Sequence, residues 1–174
     1  MDDLRSSDKD RQNRAFQSLS QATEEPVDWA YEVWDELLRT LADGDNRQRS
    51  IAAQVLCNLA KSDPQERILK DLGALLAVTK DERFVTARHC LQSLWKVAVA
   101  GKRQHHAVVK GLVQRFKECN DEKNCTLIRY DILAVLRRMY DVAGDAALRS
   151  TAEGLIATEE DLKYRKKYAT LWRT

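Results

Sequence analysis

Four cysteines and three histidines are the residues of this 174-residue chain with the widest nucleophilic and metal-binding chemistry. Cys119 and Cys125 flank a polar turn, but a C-x5-C spacing without a second pair of ligands is a weak zinc pattern. His89 stands beside Cys90 in an apolar-periodic segment, which favours a helix residue next to a buried thiol over a catalytic Cys–His pair. A glycine-rich phosphate loop is also missing from the sequence. We therefore expect no catalytic residue, no metal site and no cofactor.

The composition is that of a globular protein with a sizeable core. Hydrophobic residues make up 44% of the chain and charged residues 32%, with only six Gly and two Pro, too few for a loop-rich all-β protein. Lys plus Arg exceeds Asp plus Glu by 29 to 27, so the net charge indicates no polyanionic partner. No apolar run reaches the ~20 residues of a membrane span, and the charged N-terminus does not resemble a secretory signal. We expect one cytoplasmic domain with reduced thiols and no membrane contact.

Apolar residues recur at three- and four-residue spacing along the chain, which predicts an all-α protein. Capping and turn residues divide this pattern into about nine helices. Residues 23–26 (Thr-Glu-Glu-Pro) are expected to start the second helix, and Asp63-Pro64 the fourth. The predicted helices span residues 8–22, 27–42, 46–61, 64–79, 84–100, 103–119, 125–142 and 146–157, with a last helix that ends near residue 172.

The odd-numbered helices share an internal repeat. The segment 15–19 (AFQSL) matches 52–56 (AAQVL) at an offset of 37 residues, then 90–94 (CLQSL) at 38 and 132–136 (ILAVL) at 42. Even-numbered helices also align, with Gly73, Gly111 and Gly154 at corresponding places. Because glycine costs about 1 kcal/mol relative to alanine inside a helix, we expect close helix–helix approach at these positions.

This repeat, with two helices per unit and an Asp-rich turn within the unit, resembles the HEAT and armadillo families. The pairs Asp8/Arg14 and Asp43/Arg49, each six residues apart, are similar to the turn aspartate and second-helix arginine of HEAT repeats. Later units depart from this spacing. The resemblance implies a right-handed α-α superhelix (an α-solenoid) of about 4.5 HEAT-like hairpins. The units would be residues 8–23 (half a unit), 24–61, 62–100, 101–142 and 143–174.

In these families the second helix of each unit generally lines the concave surface, so the resemblance implies a binding face on the odd-numbered helices. Polar residues at four-residue spacing mark that face. They are Asn13, Gln17 and Gln21; Ser50, Gln54 and Asn58; Arg88, Gln92 and Lys96; and Tyr130 and Arg138. The row changes from amide-rich to cationic along the array. Amides can bond an extended peptide backbone, so the face predicts a protein partner with acidic residues near the 88–138 end. A merely solvated helix face is the alternative.

Two further features leave other functions open. Residues 24–42 carry a charge of −5 and residues 101–119 one of +4, which favours head-to-tail association or two separate partners. The last helix mixes bases with aromatics, as nucleic-acid surfaces do. However, Tyr164, Tyr168, Leu171 and Trp172 form a stripe typical of a capping helix that faces the core. A nucleic-acid-binding protein related to the HEAT-like DNA glycosylases is therefore the alternative to a non-enzymatic protein-binding scaffold.

Overall fold

The computed structural model describes residues 2–6 and 8–173 of the chain. In this part of the chain the protein is all-α, as predicted, with nine α-helices and no strand. The helices are α1 Lys9–Ala22, α2 Ala30–Asp43, α3 Asn46–Leu59, α4 Arg67–Val78, α5 Phe84–Ala98, α6 Lys102–Glu118, α7 Cys125–Ala143, α8 Ala146–Ala157 and α9 Leu162–Ala169. Short 3-10 turns lie at Asp2–Arg5, Ala60–Ser62 and Thr170–Trp172. No helix among the described residues is long and apolar enough to cross a membrane.

Aspartate side chains cap four of the helices at their N-termini. Asp8 accepts hydrogen bonds from the backbone N–H groups of α1, and Asp145 and Asp161 do the same for α8 and α9. Asp45 and Gln48 form a complete capping box at α3. These bonds satisfy N–H groups that have no partner within a helix, which is why the Asp-rich turns set the helix starts.

Two predicted helix starts are wrong. Thr23 does not open α2: it ends α1, with its hydroxyl donating to Leu19 O at 2.7 Å, and α2 begins only at Ala30. The fourth helix begins at Arg67, not at Pro64. Asp63 still caps this helix, although it lies four residues before Arg67. Its carboxylate accepts hydrogen bonds from the N–H groups of Arg67 (2.9 Å) and Ile68 (2.7 Å).

The helices contact each other in two rows. In one row α1 contacts α3, α3 contacts α5, α5 contacts α7 and α7 contacts α9. In the other row α2 contacts α4 and α4 contacts α6. The rows are joined by contacts between helices adjacent in sequence, such as α2 with α3 and α5 with α6. One continuous apolar core lies between them, and its fully buried side chains include Trp34, Leu56, Leu94, Phe116 and Tyr168.

Arginine–carboxylate pairs connect α3 and α7 to later turns of the chain. Arg49 of α3 binds Asp81 in the α4–α5 turn, with Nε 2.6 Å from Oδ2 and Nη2 3.1 Å from Oδ1. Arg129 of α7 binds Glu159 in the α8–α9 turn at 2.8 Å. Burial opposes ionisation of Asp81, but the hydrogen bonds from Arg49 and from the Arg83 N–H outweigh it and lower the pKa of Asp81.

The close helix–helix approach expected at the three repeated glycines is found at one of them. A Cβ at Gly111 of α6 would lie 2.8 Å from Leu76 Cδ1 of α4, so the two helices approach closely there. Gly73 and Gly154 are exposed, and a Cβ on either would have no atom within 4 Å. Their matching positions therefore do not reflect helix packing.

We expect Gly73→Ala and Gly154→Ala each to raise the free energy of unfolding by about 0.5–1 kcal/mol, because alanine loses less backbone entropy in a helix. Gly111→Ala is the matched comparison: the new methyl group must displace Leu76, so it should gain less or lose stability. Urea unfolding followed by circular dichroism measures all three. A Gly111→Ala gain equal to the other two would contradict the close contact.

Candidate binding surface

A groove runs across the row of odd-numbered helices, with α3 as its floor and α1 and α5 as its walls. It consists of two adjoining cavities, of about 550 Å³ near the N-terminal ends of α3 and α5 and about 320 Å³ near their C-terminal ends. Phe16 of α1 and Gln54 of α3 line both cavities. We call this surface, made by α1, α3 and α5, the α3 groove.

The α3 row Ser50, Gln54 and Asn58 lines the groove. The Gln54 amide donates to Ser50 O at 3.1 Å, which leaves its own carbonyl oxygen to accept. Asn58 is only 7% exposed. Its amide donates to Thr23 Oγ1 at 3.0 Å and its oxygen accepts from Lys96, so it connects α1 and α5 across the floor. Ser50 and Gln54 therefore face the groove with atoms that can still hydrogen-bond to a ligand. Asn58 mainly connects α1 to α5.

The α1 row is exposed along its length, but only its first member borders the groove. Asn13 lines the larger cavity and accepts a hydrogen bond from Arg47 of α3. Gln17 and Gln21 are exposed and line neither cavity. Phe16 and Ser20, which sequence reasoning did not select, take their place on the wall. Gln17 and Gln21 miss the groove because the stripe of α1 that faces it is shifted by one residue from the predicted row.

Two residues of the α5 row, Arg88 and Gln92, donate hydrogen bonds to a buried carboxylate. Asp131 of α7 is 2% exposed. Arg88 Nη2 and Gln92 Nε2 each donate to Asp131 Oδ1 at 3.1 Å. Arg88 Nε also lies 2.8 Å from Oδ2, without the alignment of a hydrogen bond. The sequence does contain a signal for this site, since Asp131 is the one acid inside the apolar run Ile128–Leu136. Arg88 thus neutralises an internal charge and adds little positive charge to the surface.

Lys61, Lys96 and Arg138 supply the positive charge that remains at this end. Lys96 lines the smaller cavity, and burial lowers the pKa of its ammonium group. Arg138 is exposed, and its guanidinium carbon lies 3.9 Å from the centroid of the Trp95 ring, which lines the same cavity. Tyr130, the last predicted residue, has Lys167 Nζ 5.1 Å from its ring centroid. It belongs to the surface toward α9 and lines neither cavity of the groove.

Exposed apolar side chains on α5 and just after it are the groove feature that sequence reasoning missed. Val85 is 65% exposed at the edge of the larger cavity, and Val99 is 40% exposed at the edge of the smaller one. Lys9 and Arg47 add positive charge at the far end. Both valines lie seven residues from Gln92, so the helical period places them on the predicted face, but they were missed because only polar residues were sought there. The groove is therefore apolar along its α5 edge. Each end has more basic than acidic residues, with Lys9 and Arg47 against Asp45 at one end and Lys61 and Lys96 against Glu24 at the other.

The C-terminal helix does not present its aromatic rings. Tyr168 is fully buried, with its hydroxyl donating to Thr126 O at 3.0 Å, and Trp172 is 5% exposed. Lys163, Lys166 and Lys167 are exposed. This is the core-facing stripe with a basic outer face that the spacing predicts. These two rings are therefore too buried to stack on bases, whereas Tyr164 is partly exposed.

The histidines and cysteines do not gather into a metal-binding cluster in the described part of the chain. No group of three or more His, Cys, Asp or Glu there is placed to hold a metal ion. His105 Nε2 lies 3.3 Å from Asp145 Oδ2. Burial raises the pKa of the Cys57 thiol to about 12, so that this residue is an inert core group.

Comparison of the chain with protein-family models, with curated proteins and with solved structures gives no match.

Proposed function

We propose that this protein is a non-enzymatic scaffold, an α-solenoid of the HEAT type, that binds an extended segment of another protein in the α3 groove. The observation that carries the proposal is the groove itself. It combines an apolar edge, amide and hydroxyl groups on its floor, and positive charge at both ends. Peptide-binding grooves need this combination, since apolar contacts give affinity and a few polar groups fix orientation.

The order of helix contacts supports the solenoid part of the proposal. Within its row each odd-numbered helix contacts the odd-numbered helices before and after it, and the repeat offsets of 37–43 residues match this arrangement. The ion pairs Arg49–Asp81 and Arg129–Glu159 each connect a helix to the turn before the next helix of its row. A plain bundle would have no reason to repeat this connection.

The chemistry of the groove favours one class of partner. Val85, Trp95 and Val99 offer contacts to apolar side chains, and Gln54 and Ser50 offer hydrogen bonds to a peptide backbone. Lys96 and Arg138 at one end and Lys9 at the other favour acidic residues on either side of the apolar ones. The partner segment is therefore an extended chain with an apolar centre and acidic flanks.

We expect a peptide-display library to yield such segments, and Val85→Glu to weaken an enriched peptide at least tenfold, which corresponds to about 1.4 kcal/mol. Val85 is largely exposed, so the substitution should not disturb folding. Val142→Glu is the matched control, because Val142 is 58% exposed and lies outside the groove. Fluorescence anisotropy with the labelled peptide measures both variants.

Equal weakening by the two valine variants, or by neither, would count against the groove. A nucleic-acid partner makes a different prediction. Its affinity would fall steeply with salt because phosphate contacts release counterions, and Val85→Glu would matter less than Lys163→Glu on the basic face of α9.

A further inference from the structure

Cys119 and Cys125 lie at the two ends of the α6–α7 turn with their sulfur atoms in contact. Cys119 ends α6 and is fully buried, whereas Cys125 is the first residue of α7 and is partly exposed. Both are free thiols, and their Sγ atoms are 2.9 Å apart. A disulfide bond is about 2.05 Å long. The two sulfurs therefore need to approach by less than about 1 Å to form one.

The turn is held in this arrangement by groups other than the sulfurs. Arg129, one helical turn after Cys125, donates from Nε to Phe116 O at 3.4 Å, and it also bonds Asn120 and Glu159. Tyr168 fixes the start of α7 through its bond to Thr126 O. The end of α6 and the start of α7 are thus positioned independently of the cysteine pair. Closing the bond would need no refolding of the backbone.

We propose that Cys119 and Cys125 form a site of oxidative modification that closes into an intramolecular disulfide when a low-molecular-weight disulfide, such as oxidised glutathione, is present. The other two cysteines do not share these properties. Cys57, Cys90 and Cys119 are all fully buried, and burial raises the pKa of each thiol. Only Cys119 has its sulfur in contact with a partly exposed thiol, that of Cys125. The site is therefore specific to the α6–α7 turn.

The reaction follows ordinary thiol–disulfide exchange. The Cys125 thiolate, on the exposed side, attacks one sulfur of the small disulfide, whose S–S bond breaks and releases one thiolate. The Cys119 thiol then loses its proton and attacks Cys125 Sγ, which releases the second thiolate. The two protein thiols are oxidised to one cystine, the small disulfide is reduced to two thiols, and the two protons from the protein end on those thiols.

Oxidation would tie the end of α6 to the start of α7 beside Arg129. This residue also holds Glu159 of the α8–α9 turn, and Glu159 O accepts from Arg165 Nε at 2.7 Å. A cavity of about 400 Å³ adjoins this turn, and its lining includes Phe116, Asn120, Arg129 and Glu159. The disulfide would thus rigidify the region around the α6–α7 turn, which lines neither cavity of the α3 groove. The inference does not depend on the proposed binding function.

Mass spectrometry of the whole protein tests the site. The reduced, folded protein is incubated with oxidised glutathione, unfolded, and treated with N-ethylmaleimide. We expect a loss of about 2 Da, two maleimide groups instead of four, and a cross-link between the tryptic peptides 118–123 (ECNDEK) and 124–129 (NCTLIR). Trypsin cleaves between the two cysteines at Lys123, so the assignment is unambiguous.

Two variants complete the test, each checked for folding by circular dichroism. Cys57→Ala should close the disulfide as the wild type does, and Cys125→Ser should retain three reduced thiols with no cross-link. Four maleimide groups on oxidant-treated wild type would overturn the proposal. So would a cross-link that includes Cys57 or Cys90, or glutathione that stays attached to Cys125 without closure.

Discussion

Replacement of Arg88 by Met is expected to lower the free energy of unfolding by about 3 kcal/mol, the low end of the cost of breaking a buried ion pair. The Asp131 side chain is 3% exposed, whereas that of Arg88 is 40% exposed. Removing the arginine therefore leaves a carboxylate in the core with only the Gln92 amide still donating to it. Urea unfolding followed by circular dichroism measures the loss.

Two further variants separate the ion pair from other effects of the substitution. Arg83→Met removes an arginine whose side chain is 69% exposed and whose paired acid is also exposed, so its effect should stay within about 0.5 kcal/mol. Adding Asp131→Asn to Arg88→Met should recover most of the lost stability, because no charge is then left unpaired. If Arg88→Met cost no more than Arg83→Met, the buried pair would have no part in stability.

This role of Arg88 affects how the binding face can be tested. Arg88→Glu would place a second negative charge beside the buried Asp131 carboxylate and destabilise the fold. A loss of partner binding by this variant could then result from unfolding and would not test the binding face. Arg138 is the better site for charge reversal, because it is exposed and contacts the Trp95 ring at the surface.

Leu56→Ala should destabilise the protein by about 2–5 kcal/mol, since it removes buried methyl groups and leaves a cavity that neighbouring helices fill only partly. Leu56 is fully buried in α3, and α3 contacts α1, α2, α4 and α5. Leu162→Ala is the matched control because Leu162 is 63% exposed at the start of α9, and its effect should stay within about 0.5 kcal/mol. Thermal or urea unfolding measures both, and a Leu56→Ala loss below 1 kcal/mol would contradict the packing described.

Periodicity predicted the helices well because each one buries a single apolar stripe, and Asp8, Asp45, Asp145 and Asp161 provided local start signals. Its errors came from residues whose partners are distant in sequence. Thr23 has the composition of a helix start, but its hydroxyl is used by Leu19 and by Asn58, 35 residues away. No local pattern contains that bond.

The binding face was harder to predict for the same reason. Spacing by four residues finds one face of a helix, and it correctly placed Ser50 and Gln54 in the groove. It cannot tell a free polar group from one that a neighbouring helix already satisfies, as Asp131 satisfies Arg88 and Gln92. The same spacing also places Val85 and Val99 on the face of Gln92, and they were missed because only polar residues were taken to mark that face.

The most direct test of the α3 groove is hydrogen exchange of the protein with and without a saturating concentration of the selected peptide. Binding protects backbone amides by suppressing local opening where the ligand packs. We predict added protection in α1, α3 and α5, which form the groove, and unchanged exchange in α4 and α6 of the other row. Protection confined to α4 and α6, or to the basic helix α9, would contradict the account.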